Sequence, residues 1–346
     1  MQKINVLVVD DSAVMRLRLR KILEKDDEIK VIDVAKTGEE ALSKVLLLKP
    51  AVVTMDVEMP GISGLEALES IMKRYPVPVV MLSALTAHGT EETLKALELG
   101  AVDFVQKPDY NDSGSLESFE EDLRTKIKSA AKTFVQRKKK AGAVARSTSS
   151  LSSRKQRIEL VAIGSSTGGP AALQQIIPFL PADFSAAVVI VQHIPKGFTR
   201  PMANRLDKVS LLKVIEAGDG TVIKSGKVYI APAGHTFSLK KSGSEIISVL
   251  DKVETFSSFK PSVDDMMLSA AHVYGSKVLG VVLTGMGNDG TKGLEAIKKN
   301  MGKTIAQGEN SCVVFGMPKS AIEAGVIDEV VDLGIICDTI IKNVVG

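Results

Sequence analysis

Short apolar runs that alternate with helix-patterned segments constrain the fold of this 346-residue chain more than any other feature. Over residues 1–125 the runs fall at 4–9, 31–34, 51–55, 78–82 and 102–105. Helical patterns lie near 13–25, 38–48, 64–74 and 90–99, with a last one near 116–136. Five strands joined by helices form a doubly wound, flavodoxin-like parallel sheet, whose ligands bind beyond the carboxyl ends of its strands. A second alternating unit starts at Ile158, with strands expected at 158–163, 187–192, 228–231, 278–283 and 303–306. Several of these are apolar throughout, as strands of a buried parallel sheet are. Residues 240–249 alternate weakly and fit part of an edge hairpin. The expectation is a two-domain α/β protein, each half large enough to bury its own core.

The strand ends of the first unit carry Asp10-Asp11, Asp56, Ser83 and Lys107. Converging carboxylates repel unless a cation neutralises them, and an all-oxygen site with few ligands suits Mg²⁺. A lysine and a hydroxyl opposite them can hold a phosphoryl group. Acidic residues also end strands and cap helices without any ligand, but three carboxylates, a hydroxyl and a lysine gathered at four strand ends are hard to assign to that cause alone.

Charge is unevenly spread. The net charge is +3, yet residues 123–158 hold 12 Lys and Arg and no acid; without them the chain has 32 basic and 41 acidic residues, a net of −9. The basicity belongs to a Ser-rich, Lys/Arg-rich linker, so neither folded half reads as a nucleic-acid binder. No apolar run approaches the roughly 18 residues of a membrane span, and the expected location is cytoplasmic, without direct membrane insertion. Cys312 and Cys337 are too few for a disulfide framework and are expected to be free, buried thiols, Cys312 as a strand residue.

The second unit begins with Leu160 to Ile163 running into Gly164-Ser165-Ser166-Thr167-Gly168-Gly169-Pro170. A Walker loop needs Lys where Pro170 stands, and the spacing of a dinucleotide fingerprint is absent. Gly164 to Gly168 does fit the Gly-x-Ser-x-Gly elbow with Ser166 central, although a plain strand-to-helix turn fits it as well. Of the four histidines, His88 is expected at the surface, His272 packed in a helix, and His235 bordering a site. His193 stands out because it ends the run Val188 to Gln192. A third apolar run breaks at Thr284-Gly285-Met286-Gly287-Asn288-Asp289-Gly290. Ser166, His193 and Asp289 thus share one edge of one expected sheet. A serine hydroxyl needs a base, and the base needs a carboxylate to fix its tautomer. The glycines free backbone N–H groups for an oxyanion. The order Ser, His, Asp is not that of the α/β-hydrolases.

Two resemblances follow from these residues. Residues 1–125, through Asp10, Asp11, Asp56, Ser83 and Lys107, resemble a response-regulator receiver domain. The resemblance implies that Asp56 accepts phosphate from a histidine kinase, and that Asp10, Asp11, Asp56 and the Glu58 carbonyl hold Mg²⁺. It also implies that Ser83 and Lys107 contact the phosphate, and that Phe104 stands at a switch-aromatic position. Residues 158–346 resemble the chemotaxis protein-glutamate methylesterases, the CheB family. The motifs are Ile163 to Gly169, Gln192 to Thr199, Pro261-Ser262-Val263-Asp264, Leu283 to Gly290, Ala306-Gln307 and Cys312 to Pro318. That resemblance implies Ser166 as nucleophile, His193 as base and Asp289 as its orienter, with Thr167 and the Met286 backbone lining the site and stabilising the oxyanion. It implies no cofactor at the esterase site.

The domains expected are a receiver at 1–125, a linker at 126–157 and a methylesterase domain at 158–346. The expected function is a phosphorylation-activated hydrolase of glutamate methyl esters, which also deamidates glutamines, on chemoreceptors. The alternative is a receiver coupled to a non-catalytic or DNA-binding output domain.

Overall fold

The alternating runs fold as two parallel sheets in a computed structural model that describes residues 3–84, 86–108, 113–132, 157–251 and 261–345. The first half contains β1 (Ile4–Val9), α1 (Ala13–Leu23), β2 (Ile29–Ala35), α2 (Gly38–Leu48), β3 (Val52–Asp56), α3 (Gly64–Arg74), β4 (Val79–Ser83), α4 (Ala87–Leu99), β5 (Asp103–Gln106) and α5 (Ser113–Lys132). The strand order is β2-β1-β3-β4-β5, all parallel. Helices α1 to α4 each begin behind Ser12, Thr37, Ser63 or Thr86, whose hydroxyl accepts an N–H of the first turn. Such caps satisfy donors that the helix itself leaves open. Every residue of β3 and β4 is buried. The order reverses beside β1, which places the ends of β1 and β3 at the switch point where doubly wound sheets bind ligands.

The second half contains β6 (Leu160–Ser165), α6 (Gly169–Gln174), β7 (Ala187–Gln192), α7 (Thr199–Val209), β8 (Lys213–Glu216), β9 (Lys227–Ile230), β10 (Ser238–Ser242) and β11 (Glu245–Val249). It continues with α8 (Val263–Tyr274), β12 (Val278–Val282), α9 (Thr291–Lys299), β13 (Lys303–Gln307), α10 (Met317–Glu323), β14 (Glu329–Val331) and α11 (Leu333–Val345). A seven-stranded parallel sheet runs β14-β13-β12-β6-β7-β9-β8. Its central strands β6, β7 and β12 are buried at every position, each Val, Leu or Ile contributing about 1.5–3 kcal/mol of burial. The second switch point lies between β12 and β6, with β7 on the other side of β6.

Four details depart from the sequence reading. Strands β10 and β11 pair with each other as a separate antiparallel sheet, joined to the rest by a Val222–Ile247 bridge, and do not extend the main sheet. Edge strands β8 and β14 were not expected. His272 lies on the exposed side of α8. Cys312 is half-buried in a loop after β13, whereas Cys337 is buried; both are free. His88 is exposed, as expected, but in the first turn of α4, beside Glu92 at 3.2 Å. Helix α5 continues to Lys132, and the rest of the linker expected at 126–157, residues 133–156, lies outside the described residues. Among the described residues no helix is long and apolar enough to cross a membrane.

The two halves meet along α4, β5 and α5. Phe104 of β5, 2% exposed, stacks on Phe198 with ring centroids 4.5 Å apart and planes tilted by 37°. Glu98 of α4 takes a bidentate contact from the Arg205 guanidinium of α7 and a 2.5 Å hydrogen bond from the Gln174 amide of α6. Between α4 and α7 a cleft of about 1130 Å³ stays open, lined among others by Thr90, Glu91, Arg200, Lys208 and His235. His235, expected from the sequence to border a site, lines this cleft between the two halves.

Candidate active site

At the edge of the first sheet, Asp10, Asp11 and Asp56 bring carboxylate oxygens within 4.8 Å of one another. Lys107 bridges the two buried ones, its Nζ 2.7 Å from Asp56 Oδ2 and 3.0 Å from Asp10 Oδ2. Burial pushes the Asp56 carboxyl up to about 6, Lys107 pulling it down and Asp10 adding to the rise. Burial also works against the Lys107 ammonium, but Asp56 and Asp10 outweigh it and hold its pKa above the ordinary range. One ammonium shared by crowded carboxylates leaves negative charge that a hard divalent cation with oxygen ligands would neutralise. The Glu58 side chain is exposed and receives a 3.5 Å contact from Thr86 Oγ1, while its backbone N–H hydrogen-bonds Asp56. Ser83 ends the neighbouring strand, one residue past the Asp56–Leu82 pair. Its buried hydroxyl is engaged with the first turn of α4, accepting from Thr93 Oγ1 at 2.6 Å and facing the Ala84 and Gly89 carbonyls.

At the edge of the second sheet, Ser166, His193 and Asp289 lie in the loops that follow β6, β7 and β12, which end together. The register pairs Ser165 with Gln192 and Gly164 with Val282. Ser166 is held by its N–H to the Thr284 carbonyl at 3.1 Å, and His193 by its N–H to the Ser165 carbonyl at 2.9 Å. Gly285 allows the close approach of the two loops: a Cβ there would lie 2.7 Å from Ser166 Cβ. Gly168, at φ 79°, turns the chain from β6 into α6 in a conformation that side chains disfavour. His193 Nε2 lies 2.8 Å from Asp289 Oδ2, with both side chains largely buried. Burial disfavours the Asp289 carboxylate, but His193 and the N–H groups of Asp264 and Val263 overcome this, and its pKa stays below the usual range. The two serines of the elbow differ: Ser165 is fully buried and donates to Gln192 Oε1 at 2.6 Å, whereas Ser166 is half-exposed. Thr167 is buried and Met286 half-buried. Neither backbone N–H donates to a protein acceptor among the described residues, so both can serve an oxyanion.

Sequence reasoning missed the residues that lock this arrangement. The Gln192 amide donates to the carbonyls of both Ser166 and His193, each at 2.9 Å, and so ties the ends of β6 and β7 together. Gln307 at the end of β13 accepts from the Thr284 N–H at 2.8 Å, and Thr284 Oγ1 donates to the Thr167 carbonyl at 3.0 Å. Their signal was a buried glutamine closing each strand, after an apolar run in β7 and after Ile305-Ala306 in β13, where a buried amide must find several partners. The Cys312 thiol faces the Gln307 carbonyl at 3.7 Å, and burial pushes its pKa up to about 12, which disfavours the thiolate.

The first half also reaches this site. Ser129 of α5 stands 3.9 Å from Met286 Sδ, and Phe198, against which Phe104 stacks, lies five residues past His193 on the same loop.

The sequence model of the CheB methylesterase family matches residues 161–340, and that of the response regulator receiver domain matches residues 6–113. A protein-glutamate methylesterase/protein-glutamine glutaminase of Pyrococcus horikoshii is 46% identical, over 99% of this chain and 94% of that protein. One of the same description from Thermotoga maritima is 45% identical, covering 94% of each. The crystal structure of the Thermotoga maritima CheB methylesterase catalytic domain aligns at 47% identity with a TM-score of 0.52, covering 54% of this chain and 98% of that one.

Proposed function

This chain belongs to the CheB methylesterase family, with a response regulator receiver domain ahead of the hydrolase domain, and on that premise we propose a phosphorylation-controlled serine hydrolase acting through Ser166, His193 and Asp289. The substrate is a γ-glutamyl methyl ester on a chemoreceptor. Ser166 Oγ attacks the ester carbonyl while His193 takes its proton; with Nε2–H donated to Asp289, the accepting nitrogen is Nδ1. The Thr167 and Met286 N–H groups receive the oxyanion. Methanol leaves with the proton from His193, and water then cleaves the acyl-serine to release glutamate. With glutamine in the same position the leaving group is ammonia, which gives the deamidation. Family membership displaces the DNA-binding alternative.

In the receiver half, Asp56 accepts a phosphoryl group from a histidine kinase. Asp10, Asp11, Asp56 and the Glu58 carbonyl are the residues that would hold Mg²⁺, which when bound neutralises charge between carboxylate and phosphate. The protein works in the cytoplasm, where both kinase and receptor tails are accessible. The receiver half is taken to run through α5 to Lys132, past the boundary of 125 expected from the sequence, because Ile127 and Ala130 pack in its core, and the hydrolase domain to begin at about 158.

The observation that carries the reading is the convergence of three complementary side chains at one sheet edge, with Ser165 turned inward and Ser166 outward. Methanol release from a methylated receptor tests it: Ser166→Ala should lower the rate at least ~10³-fold with the fold intact. A Ser166→Ala protein that keeps most of its activity removes the assignment.

A further inference from the structure

The carboxylate that orients the base is itself held by an unusual exchange between two helices. Asp289 precedes α9, but its side chain reaches the N-terminus of α8. Its Oδ2 accepts from the Val263 N–H at 2.7 Å, and its Oδ1 accepts from the Asp264 N–H at 2.9 Å and the Ser262 hydroxyl at 3.0 Å. Asp264, in the first turn of α8, reaches back to the N-terminus of α9. Its Oδ1 accepts from the N–H groups of Gly290 at 2.9 Å and Gly293 at 2.8 Å. Each helix is therefore capped by an aspartate belonging to the other. The Gly290 N–H is on the peptide directly after Asp289, so the Asp264 carboxylate fixes the backbone from which the Asp289 side chain projects. Burial raises the Asp264 pKa, Asp289 adds to the rise, and the two glycine N–H groups oppose it. The N–H groups of the helix end are the contacts that favour its carboxylate against that burial.

We propose that Asp264 is a positioning residue of the hydrolase, acting on His193 only through Asp289. The proposal rests on the triad reading above. Loss of the Asp264 side chain frees the backbone at Asp289–Gly290, and the carboxylate no longer meets Nε2 at the distance that fixes the imidazole tautomer. The substrate-facing surface is untouched. The effect therefore falls on kcat and not on KM.

The test uses the full chain with Mg²⁺ and a small phosphodonor present, methylated receptor as substrate, and thermal unfolding to confirm the folded fraction. Asp264→Ala should lower kcat by about 10- to 100-fold, the range for losing hydrogen bonds to a charged group, with KM within about twofold. Asp264→Asn, which keeps an Oδ1 acceptor for Gly290 and Gly293, should recover most of the loss. In an Asp289→Ala background, Asp264→Ala should cost almost nothing more in kcat, because a residue acting through another loses its effect when the intermediary is gone. If Asp264→Ala does not fold, Asp264→Ser, whose shorter side chain carries no carboxylate to span the Gly290 and Gly293 N–H groups, gives the same comparison with and without Asp289→Ala. Unchanged kcat in Asp264→Ala, a loss confined to KM, or additive losses in the double variant would each overturn the proposal. Ser166→Ala run alongside separates the two failures: if it is inactive while Asp264→Ala is not impaired, only the positioning role falls.

Discussion

Removing the Glu98 side chain should raise the basal activity of the unphosphorylated protein. Glu98 gathers the bidentate Arg205 contact and the Gln174 hydrogen bond, the polar anchors between α4 of the receiver half and helices α6 and α7. The two charged side chains are 30% and 32% exposed, so solvent screens part of their attraction. An exposed pair contributes about 0–1 kcal/mol and a hydrogen bond to a charged group about 1.5–3; a value of about 1.5 kcal/mol is reasonable for this intermediate case. That loss multiplies the ratio of separated to docked halves by about tenfold. If the docked form dominates at about 99:1, the accessible fraction rises from roughly 1% to roughly 10%. Methanol release from methylated receptor, without phosphodonor, should increase by nearly that factor, while the further stimulation by phosphodonor shrinks correspondingly. Arg205→Ala should mimic the change, and the double variant should add little, since both remove the same contact. Basal activity equal to wild type in both single variants, with unfolding temperatures unchanged, would refute the idea that this interface restrains the enzyme.

The other predictions probe the same account from different sides. A fragment spanning 150–346 should be more active on receptor than the unphosphorylated full chain and insensitive to phosphodonor, because Ser129 and Phe104 no longer stand against the Met286 and Phe198 loops; equal activities of fragment and full chain would remove the inhibitory role. Treatment of the full chain with a small phosphodonor should leave an alkali-labile phosphoryl group that Asp56→Asn abolishes and chelation of Mg²⁺ suppresses. Labelling that survives in Asp56→Asn places the acceptor elsewhere.

Much of this architecture was legible because the buried strands announce themselves. Strand β7 was read to the residue as 187–192, and β1 as 4–9, since each is an apolar run, broken in β1 only by Asn5 near its start, that a polar residue closes. The candidate groups Asp10, Asp56 and His193 stand at such strand ends, and Asp289 in the glycine-rich loop after β12, so they were read together with the fold. Edge strands escaped notice for the opposite reason. β14 has two exposed residues out of three and β8 is half polar, so neither carries a pattern that burial would impose. The supporting hydrogen bonds were illegible on other grounds. Asp264 and Asp289 lie 25 residues apart, and only the packing of α8 on α9 reveals that each caps the other's helix. The contact of Phe104 with Phe198 joins a strand of one half to a loop of the other and has no local signature at all.

The identity of the nucleophile is the central claim, and a covalent probe addresses it without any assumption about the receptor. The wild-type chain should be inactivated by a serine-directed fluorophosphonate with one adduct, which fragmentation of the 160–175 region by mass spectrometry should place on Ser166. The adduct should be absent from Ser166→Ala, much slower to form in Asp289→Asn, and formed at a comparable rate in Ser165→Ala, whose hydroxyl serves only the Gln192 amide. An adduct on Ser165 or on a serine outside this elbow, or full methanol release from the fully modified protein, would contradict the account.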